Sequence, residues 1–193
     1  MLSIDKEGRV NHARIKAHII GGLGQGRLGV VHGIIVHQTG GATAQAAFAG
    51  YASRPYGTHF LIDKDGTIYQ NASLLYYTNH VGKLKARCLS EHSCSAIDMK
   101  RYAKFSPSTE NRLESAKTYP ARYPANKDSI GIELVGEVSV KTGEFVQVTE
   151  AQNASLKWLV GEIAATFHVQ MTEVFRHPLV SRKTPSEAST ARW

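Results

Sequence analysis

The sequence predicts a single α/β (α+β) domain over residues 1–193. Two observations carry that prediction. Short apolar, β-branched runs recur at 33–40, 59–70, 129–136 and 174–178, each closed by a turn signal, and read as strands. Stretches with helical character follow them at 42–53 and 149–169. The length fits one domain, and 42% apolar residues allow a sizeable core.

Residues 1–29 read as an N-terminal arm and a glycine-rich loop. Arg9 to Ile20 has room for a short strand of poor alternation, and His12 and His18 read as surface residues. Gly24, Gly26 and Gly29 match G-x-G-x-x-G formally. A dinucleotide site needs that motif between a strand and a helix. Here it runs into the β-like Val30–Val36, so the nucleotide reading is rejected.

Gly33-Ile34-Ile35-Val36-His37-Gln38-Thr39-Gly40 is the first buried strand. His37 lies near its end, where the backbone is rigid and the side chain can face a cleft. Neutral imidazole is a good zinc ligand; a core histidine bonded to backbone is the competing reading. The Ala-rich stretch that follows is a helix, started by Gly41 or Thr43 and stopped by Arg54-Pro55, with Phe48 and Tyr51 three apart.

His59–Asp63 and Thr67–Gln70 form a hairpin around Lys64-Asp65-Gly66. His59 then heads a strand beside the first, where a structural role competes with a catalytic one. Leu74–Gly82 holds Tyr76, Tyr77, Asn79 and His80; ring faces and polar tips of this kind suit sugar or peptide. Residues 83–127 hold both cysteines and three of the six prolines, and read as an insertion over one side of the fold, with a helix at Thr109–Lys117. Cys88 and Cys94 are close enough for a small-loop disulfide in an oxidising compartment and are free thiols otherwise. With His92 they make an incomplete zinc set.

Ser129–Gly136 is a strand with one charge, Glu133, in its middle. Such an acid is costly unless it meets water, a partner or a metal centre, which makes it a candidate acid/base group. An edge strand with Glu133 in solvent is the alternative. A short hairpin around Lys141-Thr142-Gly143 follows. Thr149–Val169 is the strongest helix: Thr149 and Gln152 form a capping box, and Leu156, Leu159, Val160, Ile163 and Phe167 face the sheet. Val174–Pro178 places His177 at a strand end as His37 is placed. Thr184, Pro185 and Glu187 read as a helix start.

Formal charge is +7, which favours polyanions. No Lys/Arg run with interleaved aromatics points to nucleic acid. Met1–Val10 lacks an apolar signal core, and no stretch is long enough to span a bilayer. The expectation is a chain made in the cytoplasm without a cleaved signal.

The ordered pieces together resemble the zinc-dependent N-acetylmuramoyl-L-alanine amidases, which share their fold with peptidoglycan recognition proteins. The matching segments are Ile35–Thr39, Gly57–Gln70, Asn79–Gly82, Ser129–Gly136, the helix after Thr149, and Arg176-His177-Pro178 with Lys183. The resemblance implies a central mixed β-sheet flanked by helices, with zinc at one end of the strands. It implies His37 and His177 as zinc ligands, Glu133 beside the attacking water, Lys183 at the oxyanion and His80 on the substrate side. Tyr77 and Thr58 join His80 as expected substrate contacts.

The chain departs from the family at two places. Relatives carry Asp or Cys as third ligand, whereas here Glu187 is the carboxylate in reach, as a ligand or as the capping glutamate of a helix. The family's tyrosine before the His-Phe pair is Thr58, so that role has to come from elsewhere. The implied partner is peptidoglycan or a muropeptide, and the implied setting is the periplasm or cell wall after delivery by a non-classical route. An antibacterial lysin or effector would also require an immunity protein in its producer. A cytoplasmic muropeptide-recycling amidase and a non-catalytic binding module are the alternatives.

Overall fold

The computed structural model describes residues 1–104 and 106–193. Its centre is a six-stranded mixed sheet of β1 (Ile15–Ala17), β3 (Gly33–Gly40), β4 (Phe60–Ile62), β5 (Ile68–Gln70), β7 (Ser129–Glu137) and β8 (Val174–Arg176), in the order β1-β5-β4-β7-β3-β8. β2 (Gly24–Arg27) and β6 (Tyr76–Thr78) form a separate two-stranded sheet. β3 pairs in parallel with β7 and β8, and β4 pairs in parallel with β7 but antiparallel with β5.

One face of the sheet is covered by α5 (Glu150–Phe167). Ile34 and Val36 of β3, Ile130, Ile132 and Leu134 of β7, and Phe60 and Ile62 of β4 pack against Leu156, Leu159, Val160 and Ile163. Side chains alternate along a strand. Ile35 and Phe175 therefore join a cluster on the other face, and His37, Glu133 and His177 share that parity. The expected capping box is formed: Thr149 Oγ1 accepts from the Gln152 N–H, and the Gln152 side chain accepts from the Thr149 N–H. α1 (Ala44–Ser53) runs directly after β3, with Thr43 as N-cap.

Four expectations change. The N-terminal arm is built into the fold, since Leu2, Val10 and Ile15 reach the main core and β1 pairs with β5. The glycine-rich loop holds β2, which pairs with β6; a Cβ at Gly24 would lie 3.1 Å from Tyr76 Cβ, so the glycine admits that side chain. β4 does not lie beside β3, because β7 sits between them. β7 is thus an inner strand, and the edge-strand reading of Glu133 fails.

The insertion is more regular than expected, with α2 (Arg87–Ser90), α3 (Ala96–Tyr102) and α4 (Pro107–Ser115), and a Cys88–Cys94 disulfide. It is riveted to the segment that carries β8 and α6 (His177–Val180). The Arg87 guanidinium donates to both Glu173 oxygens, at 3.0 and 2.7 Å, and Arg182 pairs with the buried Glu110. Among the described residues no helix is long and apolar enough to cross a membrane.

His59 is fully buried just before β4. Its Nε2 donates to the Tyr76 carbonyl at 3.1 Å and its Nδ1 accepts from the Gly131 N–H at 3.1 Å, so it ties β7 to β6. The structural reading of His59 holds. Burial lowers its pKa to about 4. Between that value and the unfolded value near 6.5, the unfolded chain binds the extra proton. Stability therefore falls as pH falls from 6.5 to 4, by up to about 3 kcal/mol from this one group. His59→Gln, which keeps a donor and an acceptor, is expected to flatten that slope by close to one proton in urea unfolding between pH 7 and 4. An unchanged slope would contradict it.

Candidate metal centre and active site

The strand pairing brings the site together. Val36 lies opposite Arg176 and His37 opposite Glu133. Three polar side chains from β3, β7 and the end of β8 thus meet on the face away from α5. Glu187 arrives from the C-terminal turns. The expected helix at 184–187 is absent: its residues form a run of turns, with the Glu187 N–H donating to the Thr184 carbonyl. Glu187 is buried and points at the two histidines rather than capping a helix.

His37 Nδ1 lies 2.9 Å from His177 Nδ1, and Glu187 Oε1 lies 2.9 Å from His177 Nδ1 and 3.7 Å from His37 Nδ1. The surrounding hydrogen bonds assign the tautomers. Ser129 gives its hydroxyl proton to the Ala125 carbonyl, so it accepts from His80 Nε2. His80 Nδ1 is then an acceptor, and His37 Nε2 donates to it at 3.0 Å. His177 Nε2 donates to the Val81 carbonyl at 2.8 Å. Both Nδ1 atoms are left as bare lone pairs, facing each other and a carboxylate.

Three acceptors this close repel one another unless a cation or proton lies among them. The ligating atoms of His37, His177 and Glu187 all fall within 4.8 Å of one another. Burial, and then the neighbouring His177, His80 and Lys183, hold the His37 pKa well below its ordinary value. The imidazole is therefore neutral, the form that ligates a metal. Two imidazole nitrogens and one carboxylate oxygen form a donor set that suits a divalent transition metal.

The cavity in front of this cluster measures about 390 Å³ and is lined by Gln38, Thr39, Thr58, Asn79, Glu133 and Lys183 besides the cluster itself. That size suits a small polar substrate. Glu133 sits in its wall, half-buried. Burial raises the Glu133 pKa above the usual carboxylate range, with the Tyr51 hydroxyl pulling the other way.

Tyr51, on α1, stands out in the sequence only by its three-residue spacing from Phe48. It is the residue that sequence reasoning missed. Its hydroxyl donates a short hydrogen bond to Glu133 Oε2 and lies 3.2 Å from Thr58 Oγ1. Its ring fits because residue 57 is glycine: a Cβ there would stand 2.6 Å from the ring. A tyrosine hydroxyl from another element thus sits beside both Thr58 and Glu133. Gly131 makes room in the same way, since a Cβ there would lie 2.8 Å from His80 Nδ1.

Of the other expected residues, Thr58 and His80 line the cavity, but both His80 nitrogens are taken by His37 and Ser129. Tyr77 is not in this cavity. Its ring lies over Gly26 and lines an adjoining one, because β6 turns it towards β2.

The profile of the N-acetylmuramoyl-L-alanine amidase family, Amidase_2, matches residues 27–189. No curated protein sequence matches the chain significantly. Among solved structures, a selenomethionine derivative of AmpD superposes with a TM-score of 0.61 at 20% identity, over 95% of this chain and 92% of that one. The catalytic domain of XlyA gives 0.51 at 21% identity, over 88% and 87%. AmiD from E. coli, in complex with anhydro-N-acetylmuramic acid-L-Ala-D-gamma-Glu-L-Lys, gives 0.55 at 18% identity, over 94% and 60%. At these identities the superpositions establish the fold, a mixed sheet flanked by helices. The match over residues 27–189 establishes the lineage: the chain belongs to the N-acetylmuramoyl-L-alanine amidase family, hydrolases of the amide between N-acetylmuramic acid and L-alanine in peptidoglycan.

Proposed function

We propose that the chain cleaves this amide with zinc held by His37, His177 and Glu187, and that it works on the cell wall as an antibacterial lysin or secreted effector. The observation that supports the metal is the convergence of two bare Nδ1 lone pairs and a carboxylate. Zinc bound there would supply Lewis acidity and bring a water's pKa to about 7.

The remaining work falls to side chains. Glu133 takes the proton of the attacking water and returns it to the departing alanine amine. The Tyr51 hydroxyl holds its carboxylate in place. Lys183 sets a cation in the cavity where negative charge grows on the carbonyl oxygen. His80 orients His37 from behind. The substrate is a muramoyl peptide, the class of molecule bound in the AmiD complex.

The disulfide favours the lysin over a cytoplasmic recycling enzyme, because such bonds persist in oxidising compartments. The setting is then the periplasm or cell wall, and the producing cell needs an immunity protein. One experiment tests the whole reading. Purified protein should contain one zinc, lose it on His37→Ala, and release new L-alanine amino termini from whole sacculi faster than from soluble anhydro-muropeptides. Zinc-loaded protein inert on both substrates would end the proposal.

Tyr51→Phe separates positioning from packing. Losing one hydrogen bond to a charged group should lower kcat about tenfold with KM little changed. Because that bond lowers the Glu133 pKa, its loss should move the acid limb of the rate profile to higher pH. A superimposable profile would show that Tyr51 only fills space.

A further inference from the structure

The insertion carries almost all of the protein's net charge. Residues 83–127 hold ten of the 23 Lys and Arg but four of the 16 Asp and Glu, so +6 of the formal +7 lies there. Two of those acids are turned inward: Glu110 and Glu114 are buried. Lys100, Arg101, Lys104, Arg112 and Lys127 are exposed. Among the described residues Arg101 meets Asp98 at 3.5 Å, and the other four form no ion pair.

Three of these cations, Arg101, Lys104 and Lys127, line depressions next to the catalytic cavity. Arg101 and Lys104 line a depression together with Arg182, whose chain neighbour Lys183 lines the catalytic cavity. On another side, Lys127 lines a cavity of about 370 Å³ that shares Asn79 with the catalytic one. Positive charge fixed beside a cavity raises the local concentration of anions.

We infer that the insertion is an electrostatic docking surface for polymeric peptidoglycan. It holds the carboxylates of neighbouring stem peptides while one stem presents its amide to the cavity. This rests on the function proposed above. The chemistry is specific: a glutamate linked through its γ-carboxyl keeps a free α-carboxylate, and stems repeat along the glycan. A polymer engages several cations at once, whereas a fragment with one stem cannot. Nucleic acid and anionic membrane are disfavoured because the charge borders the cavity that takes a muramoyl amide.

The test uses the full zinc-loaded chain and the variant Lys100→Gln/Arg101→Gln/Lys104→Gln/Arg112→Gln, with thermal unfolding as the fold control. At low salt, the variant should pull down with purified sacculi about tenfold less than wild type. Wild-type binding should fall to the same level in high salt, where exposed charges are screened. Hydrolysis of a soluble anhydromuramoyl tripeptide should stay within about twofold, since one stem gains little from the surface. Unchanged sacculus binding at low salt overturns the inference, as does an equal loss on the soluble fragment. So does loss of binding to DNA or phosphatidylglycerol vesicles with sacculus binding kept. Should the amidase reading itself fail, nothing is cleaved, yet the pull-down still reports on the docking surface.

Discussion

Glu133→Gln is expected to lower kcat by about 10²–10⁴-fold, the range of a lost general base. The replacement is isosteric, and its amide oxygen still accepts from the Tyr51 hydroxyl that Glu133 engages now. It cannot take a proton from water. Zinc content and sacculus binding should therefore match wild type, which separates this variant from any ligand substitution. The native pH profile gives a second reading. Burial raises the Glu133 pKa, and the group works only when ionised. Activity should fall as pH falls through a value above the ordinary carboxylate range. A Glu133→Gln enzyme within tenfold of wild type would assign the proton transfer to another group.

Glu187→Gln addresses the metal. The amide keeps the shape but loses the charge that offsets a dication between two neutral imidazoles. Zinc affinity should drop by on the order of 10²-fold or more, beyond the 10–100-fold cost of losing an outer partner. Zinc should dialyse out of the variant against a weak chelator and remain in wild type. Thermal unfolding checks the same point without substrate. Zinc at about 1,000 times its Kd stabilises the native chain by about 4 kcal/mol, so added zinc should raise the wild-type Tm and leave the variant's nearly fixed. Full zinc retention by Glu187→Gln would remove the carboxylate from the ligand set.

The parts of this site legible in the sequence were those with a local signature. His37 and His177 each end a β-branched run, and Glu133 interrupts one. Period-2 alternation then assigns each of them a face. The capping box of Thr149 and Gln152 marked the start of α5 to the residue. What could not be read depended on distant partners. No local pattern says that β7 inserts between β3 and β4, which is what puts Glu133 level with His37. Tyr51 carried no local sign of a polar role, because only the fold brings α1 over Glu133 and Thr58. Glu187 carried a helix-start signal, and that local preference lost to its approach to two buried imidazoles. Tyr77 had the composition of a ligand contact, but its strand turns it elsewhere.

Arg87 and Glu173 are both largely shielded from water, with side-chain exposures of 13% and 9%. That pairing makes the disulfide-bearing insertion a poor candidate for trimming. A shortened amidase without residues 83–127 would strand Glu173 immediately before the strand that delivers His177. Breaking a shielded ion pair from one side costs about 3–5 kcal/mol, a large part of what keeps a domain this size folded. Anyone miniaturising the enzyme would have to neutralise Glu173 in the same step.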